Sequence, residues 1–225
     1  MRPVPRAWIV LPIAAITASY LGCNTAAVLA PRPALRAASA SNLAIDVEFA
    51  ESLDKTSAQD ASHYLVYPTG SGSPASVVQA ALIDTLYGRV VRLSLQDPVQ
   101  GFLPDSTDYA IQTSAVITLA GKSTGTRSVV IRTGLNYDTP MQNLFAIHCD
   151  SCHGPARVDG SYRTDTYSAL FGPGTSPSPN VIAGDPNCLL VVKTKPSNSM
   201  FRLGNLTFLD SEIIHNWVVS YQARP

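Results

Sequence analysis

The chain has no excess of charge of either sign. Sixteen Lys plus Arg stand against sixteen Asp plus Glu, and charged residues are 14% of its 225 residues, against roughly 25% in an average soluble protein. Such a composition excludes a polyanion-binding surface as the main business, and no nucleic-acid partner is expected. Gly (14) and Pro (17) are close to ordinary usage while 45% of residues are apolar, which excludes collagen-like repetition and wholesale disorder. No internal repeat and no block of like charge is present. No apolar run reaches the ~20 residues of a membrane-crossing helix. Cysteine is scarce, at four residues, and its placement carries the information: Cys23 near the start, Cys149 and Cys152 as a close pair, and Cys188 alone. The length corresponds to one large or two small domains.

The first 22 residues combine a basic start (Arg2, Arg6), an apolar run of about 15 residues from Ala7 to Leu21 interrupted by Pro12, and the small residue Gly22 before Cys23. Too short to span, this reads as a secretory signal. Tyr20-Leu21-Gly22-Cys23 resembles a bacterial lipoprotein signal, which implies cleavage before Cys23 and a lipid on its sulfur. Cleavage further on without lipid, or an uncleaved anchor, are the other readings. Residues 23–41, rich in Ala, Pro and Ser without aromatics or periodicity, are expected to be a flexible tether, because they bury too little apolar surface to offset ordering.

From Leu43 the pattern has period two: Leu43, Ile45, Val47 and Phe49 face one way, and Ala44, Asp46 and Glu48 the other. Further strands are expected around 64–67, 77–83, 89–95, 109–113, 116–119 and 129–132, separated by turn formers such as Pro68-Thr69-Gly70 and Asp97-Pro98. Six or seven strands in about ninety residues predict an immunoglobulin-like sandwich. Val47-Glu48-Phe49, Leu53-Asp54, Ser57-Ala58-Gln59 and His63-Tyr64-Leu65-Val66 resemble bacterial Ig-like modules, which implies an accessory domain over residues 42–134. His63 is read there as an ordinary surface histidine, and the module as a spacer or docking unit.

Around Thr139 the texture turns helical. Met141, Leu144, Phe145, His148, Cys149 and Cys152 share one broad face at about 100° per residue, with Thr139 as the expected N-cap before Pro140. The run Cys149-Asp150-Ser151-Cys152-His153 has the spacing of covalent haem attachment. Two thiols one turn apart can form thioethers with the two haem vinyl groups, and His153 then lies under the macrocycle as proximal iron ligand. The alternatives are a redox dithiol or half of a zinc site, the latter drawing on Cys188, His148, His215 or a carboxylate.

Residues 135–225 resemble the class I cytochrome c family, which implies an all-α haem domain, a loop methionine (Met200, in Lys195-Pro196-Ser197-Asn198-Ser199-Met200) as distal ligand, and a C-terminal helix packed on the first. Asp210 is the expected N-cap of that last helix, with Phe145 and Trp217 as the crossing pair. His215, about 130° from the apolar face, is expected to look outward, and His148 to be a non-ligand. Another helix is expected to open at Asp185-Pro186. Cys188 is read as a small buried residue or, alternatively, as half of an intermolecular disulfide; no intrachain disulfide is expected.

The fold expected is therefore two-domain: an all-β immunoglobulin-like sandwich, then an all-α cytochrome c domain with one covalent haem c. Iron filled on both sides by His153 and Met200 carries electrons and does no enzyme chemistry. The partners expected are redox proteins or a membrane respiratory or photosynthetic complex, with the membrane engaged through a lipid on Cys23, in the bacterial periplasm or cell envelope. A haem enzyme or sensor with an open sixth position, for peroxide or a small gas, and a binding module with a secondary haem are the competing readings.

Overall fold

A computed structural model describes residues 34–97 and 101–225. The expected signal peptide and Cys23 lie outside these residues. Seven strands form two antiparallel sheets: β1 (Leu35–Ser41), β2 (Ala44–Phe49), β5 (Val90–Gln96) and β4 (Ser76–Leu82) in that spatial order, and β3 (Tyr64–Pro68), β6 (Asp108–Thr113) and β7 (Arg127–Arg132) in the other. The facing sides enclose Ile45, Val47, Phe49, Val66, Val91, Leu93, Leu95 and Ile111, all buried. A short helix, α1 (Lys55–Ala58), is capped by Asp54, whose carboxylate accepts from the Ser57 amide at 2.8 Å.

The C-terminal part holds α2 (Met141–His148), α3 (Asp150–His153), α4 (Tyr167–Leu170), α5 (Leu189–Thr194), α6 (Ser199–Leu203) and α7 (Phe208–Val219). Only α2 and α7 exceed six residues. Short helices joined by irregular chain gain little from their own hydrogen-bond ladders, so tertiary packing must hold them. That packing centres on Trp217, fully buried, with Phe145 set edge-on at 6.3 Å and 77°, the crossing pair read from the sequence.

The expected division into a sandwich domain followed by an all-α cytochrome domain is not what the chain adopts. The helices close their core against the four-stranded sheet: Ala38 of β1 and Val90 of β5 belong to the same buried cluster as Phe145, Ile214 and Trp217. Alternation explains how one sheet serves two cores. On β1, Leu35 and Ala37 pack toward the strand core and Ala38 toward the helices; on β5, Val91 goes to the first and Val90 to the second. On β2 the polar side, Ala44, Asp46 and Glu48, is buried as completely as the apolar side, because α7 packs across β1 and β2. Helix α7 is accordingly buried nearly all round, Asp210, Ser211 and Asn216 included, as befits a helix inside a structure rather than on its surface.

Other boundaries also move. The expected tether ends in β1, which pairs Leu35 with Phe49 and Arg36 with Glu48. Residues 116–119 make isolated bridges (Leu53 with Thr118, Ile117 with Ser123) in place of a strand. Helix α5 begins after Cys188 and not at Asp185-Pro186, and Pro140, after a cis peptide bond, takes the capping position expected of Thr139. Among the described residues no helix is long and apolar enough to cross a membrane.

Candidate functional site

The Cys149–His153 segment is not one continuous helix with α2. Cys149, with φ −124° and ψ −41°, ends α2 and starts α3. Its amide donates to Phe145 O at 2.7 Å and its carbonyl accepts from Cys152 N at 3.0 Å and His153 N at 2.9 Å. One turn of backbone thus holds both sulfurs and the imidazole. Gly154 follows because an added Cβ there would collide with Asp150 O. The return strand of chain is tied back through Thr164, whose amide donates to His153 O at 2.8 Å and whose hydroxyl donates to an Asp150 carboxylate oxygen at 2.7 Å. Tyr137 closes this side, donating to Thr164 O at 3.0 Å.

His153 Nδ1 lies 3.3 Å from Tyr162 O, and the two rings meet edge-on with centroids 5.7 Å apart. A backbone carbonyl at Nδ1 selects the tautomer that leaves Nε2 with its lone pair, the second interaction by which ligating histidines are ordinarily oriented. Burial, reinforced by the nearby Asp150 and Asp210 carboxylates, pushes the Cys149 thiol up to about 12. A thiol held neutral is a poor redox dithiol, whose chemistry requires thiolate. Among the described residues, no group of three or more His, Cys, Asp or Glu side chains is placed to hold a metal ion, so the zinc alternative lacks its further ligands there. Cys149 and Cys188 are free, whereas Cys152 is disulfide-bonded, contrary to the expectation of no intrachain disulfide. Cys188 is buried, as the first of its two readings requires.

Met200 stands in the first turn of α6, not in a loop. Its helix is nonetheless brought to the motif: the C-terminal end of α6 abuts the C-terminal end of α2, with a Cβ on Gly204 falling 3.0 Å from His148 O. His148 donates from Nδ1 to Gly204 O at 2.8 Å, and its Nε2 lies 3.8 Å from Asp210 Oδ2. His148 is thus a structural link, as its expected non-ligand status allows. His215 does not look outward: it is half-buried beside Asn216, with Nδ1 3.4 Å from Asn216 Oδ1, on the side of α7 covered by the sheet. His63 fastens α1, with Nδ1 3.0 Å from Ser57 O.

Ion pairs that the sequence did not foretell join the two halves. Arg36 of β1 reaches Glu48 at 3.1 Å and Asp210 at 2.5 Å. Asp210 is not the N-cap of α7; that place belongs to Thr207, and the two form a capping box, with Asp210 N donating to Thr207 Oγ1 at 3.1 Å and Thr207 N to Asp210 Oδ2 at 2.9 Å. Burial alone would raise the Asp210 carboxyl, but Arg36, the Thr207 amide and His148 hold it below its ordinary value. On the neighbouring strands Arg92 grips Asp46 with two bonds of 2.7 Å and reaches Glu212 at 2.9 Å, while Asn216 Nδ2 donates to Asp46 at 3.3 Å. Here burial prevails, and Asp46 and Glu212 are both raised. The Thr207-x-x-Asp210 spacing before an apolar run is a sequence signal that could have marked the start of α7.

No family model and no curated protein matches the chain. Over 44% of its length it is similar to the surface layer protein SbsC, domains 1–6 (18% identity, TM-score 0.39, 13% of that chain). A similar match is made with the N-terminal part of the bacterial S-layer protein SbsC (18% identity, TM-score 0.40, 44% of this chain and 23% of that one). The archaellum periplasmic stator protein complex FlaF and FlaG from Sulfolobus acidocaldarius is also similar (15% identity, TM-score 0.25, 44% of this chain and 90% of that one). The chain thus spans less than a quarter of the surface-layer chains it matches. Among the described residues no group of side chains is placed to hold a metal ion, and the C-terminal part shares its core with a sheet instead of standing as an all-α domain. The resemblance to class I cytochrome c, preceded by an Ig-like module, is corrected accordingly, and cytochrome is not a description the comparisons support.

Proposed function

We propose that the chain is an exported electron-transfer protein carrying one covalent haem c, attached through Cys149 and Cys152, with His153 as proximal and Met200 as distal iron ligand. The observation that carries this reading is the single turn holding Cys149, Cys152 and His153, with Tyr162 O at His153 Nδ1. The donor set fits the group: two sulfurs one turn apart and an imidazole whose Nε2 is left for iron. Bound there, haem would supply a one-electron ferric/ferrous couple, and the Met200 thioether as a ligand would favour the ferrous state relative to a second histidine.

The chain's own residues do the rest. Cys149 and Cys152 would supply the two thioether sulfurs, each thiol's hydrogen passing to the same vinyl group so that no net oxidation is needed. Cys152 enters this addition after an external dithiol has reduced its disulfide. Tyr162 and Thr164 hold the His153 backbone and ring in place, and Gly154 lets the chain leave the turn. The periplasm or cell envelope is the location this chemistry requires, with lipid on Cys23 as the anchor and a redox protein or a membrane respiratory or photosynthetic complex as the partner. The surface-layer and periplasmic neighbours are in keeping with an envelope location.

Export of the full chain in a host with haem-attachment machinery tests the reading. The denatured protein should keep a haem visible on a gel, and its intact mass should exceed the polypeptide by one haem. Cys149→Ser should leave one thioether, read as a shifted pyridine-haem band. A soluble chain with no attached haem would sink the reading. Rapid carbon monoxide binding by the reduced protein would instead replace the electron carrier with the open-site enzyme or sensor.

A further inference from the structure

His148 occupies a place that its non-ligand status leaves unexplained. It ends α2 one residue before Cys149. Its Nδ1 donates to Gly204 O at the end of α6, one turn after Met200, and its Nε2 faces the buried Asp210 carboxylate. Asp210 in turn closes the capping box of α7 and takes the Arg36 guanidinium of β1. Four elements thus meet at two side chains: the end of the helix bearing Cys149, the helix bearing Met200, the start of α7, and the sheet. Among the described residues, the His148 imidazole makes the side-chain hydrogen bond that links α2 to the end of α6.

We propose that His148 and Asp210 are positioning residues for the sixth iron ligand: they hold α6, and with it Met200, against the turn that carries Cys149 and His153, and Arg36 ties this clamp to β1. The assignment rests on the haem reading above, and it makes the sheet part of the redox site instead of a spacer. A five-residue helix with irregular chain before it has no stability of its own; the imidazole-to-carbonyl bond and the buried carboxylate behind it fix where that helix sits.

The test compares full-length His148→Gln, which keeps a donor of similar reach, with His148→Leu, which keeps the volume and loses the donor, and with Arg36→Met at the far end. Amide hydrogen exchange over residues 199–205 reads the clamp whether or not haem is attached. His148→Leu should raise exchange there about tenfold, the worth of one well-made bond, and His148→Gln should restore it. In the haem-loaded protein His148→Leu should lose the Met-to-ferric-iron charge-transfer band and admit carbon monoxide after reduction, while retaining covalent haem; Arg36→Met should weaken the band. Unchanged exchange with an unchanged band in His148→Leu would overturn the clamp. A wild-type chain without haem would overturn the haem reading instead, and the exchange comparison would still decide the clamp.

Discussion

The strand core and the helix core of this protein are built from similar numbers of buried residues but by different means. Between the sheets, Ile45, Val47, Leu93 and Ile111 lie on strands whose backbone groups are satisfied by regular ladders, so the packing is added to a frame that already holds. Around Trp217, six short helices and long irregular stretches supply the apolar groups, and much of the frame is borrowed: from the sheet through Ala38 and Val90, and from ion pairs at the junction. The difference teaches that the helical part depends on its neighbour, and that a residue at the junction can matter to both.

The largest test of this comparison removes one anchor from each side. Trp217→Ala should cost about 4 kcal/mol and Leu93→Ala about 3 kcal/mol, the range for large buried side chains, measured by urea unfolding. Because the two cores share a sheet, both variants should shift one common transition followed by far-ultraviolet circular dichroism. Separate transitions would break the single-body description.

Next comes the junction itself. Arg92→Met leaves Asp46, 1% exposed, with only the Asn216 amide, and a buried carboxylate stripped of its cation costs about 3 kcal/mol. Asp46→Asn should cost clearly less, since it removes the charge that needs compensation. If the two cost the same, the Arg92 cluster contributes through packing alone.

The smallest effect, and the sharpest in sign, is pH dependence. Asp210 lies below its ordinary 3.8 in the folded protein, so its contribution is complete above that pH and is lost as pH falls through the lowered value. Asp46 and Glu212 lie above their ordinary 3.8 and 4.5. Their contribution is therefore greatest at acid pH and declines as pH rises through the raised values. Thermal unfolding across this range should show Asp210→Asn flattening the acid limb and Asp46→Asn flattening the weakly acid side. The same limb flattened by both would mean that the two clusters are one.

The strand core was legible because period-two alternation is a local signal: β2, β3, β5 and β6 fall within about one residue of where apolar spacing puts them. Strand β1 was not, because Leu35–Ser41 is mostly Ala and Ser and becomes a strand only by pairing with β2. Residues 116–119 carry the right pattern but find no continuous partner. The pair of Phe145 and Trp217 was legible from two amphipathic faces. The junction was not, since Arg36 and Asp210 lie 174 residues apart and no spacing rule relates them. For the same reason His215 was turned outward: its side of α7 looks polar in the sequence and is covered only once the sheet is in place. The Cys149–His153 turn is the part of the site that a short motif could show.

One feature of the sheet edge bears on how the protein behaves among its own copies. On β4, the pairing with β5 shifts between Val77 and Gln79, so Val78 has no opposite number and points to solvent, 58% exposed. An edge strand with an extra residue is bent and over-twisted, and a second strand cannot run along it in register. A regular exposed edge invites sheets of neighbouring copies to add edge to edge. The misfit at Val78 acts as a spoiler of such stacking, keeping each molecule's hydrogen-bonding edge to itself.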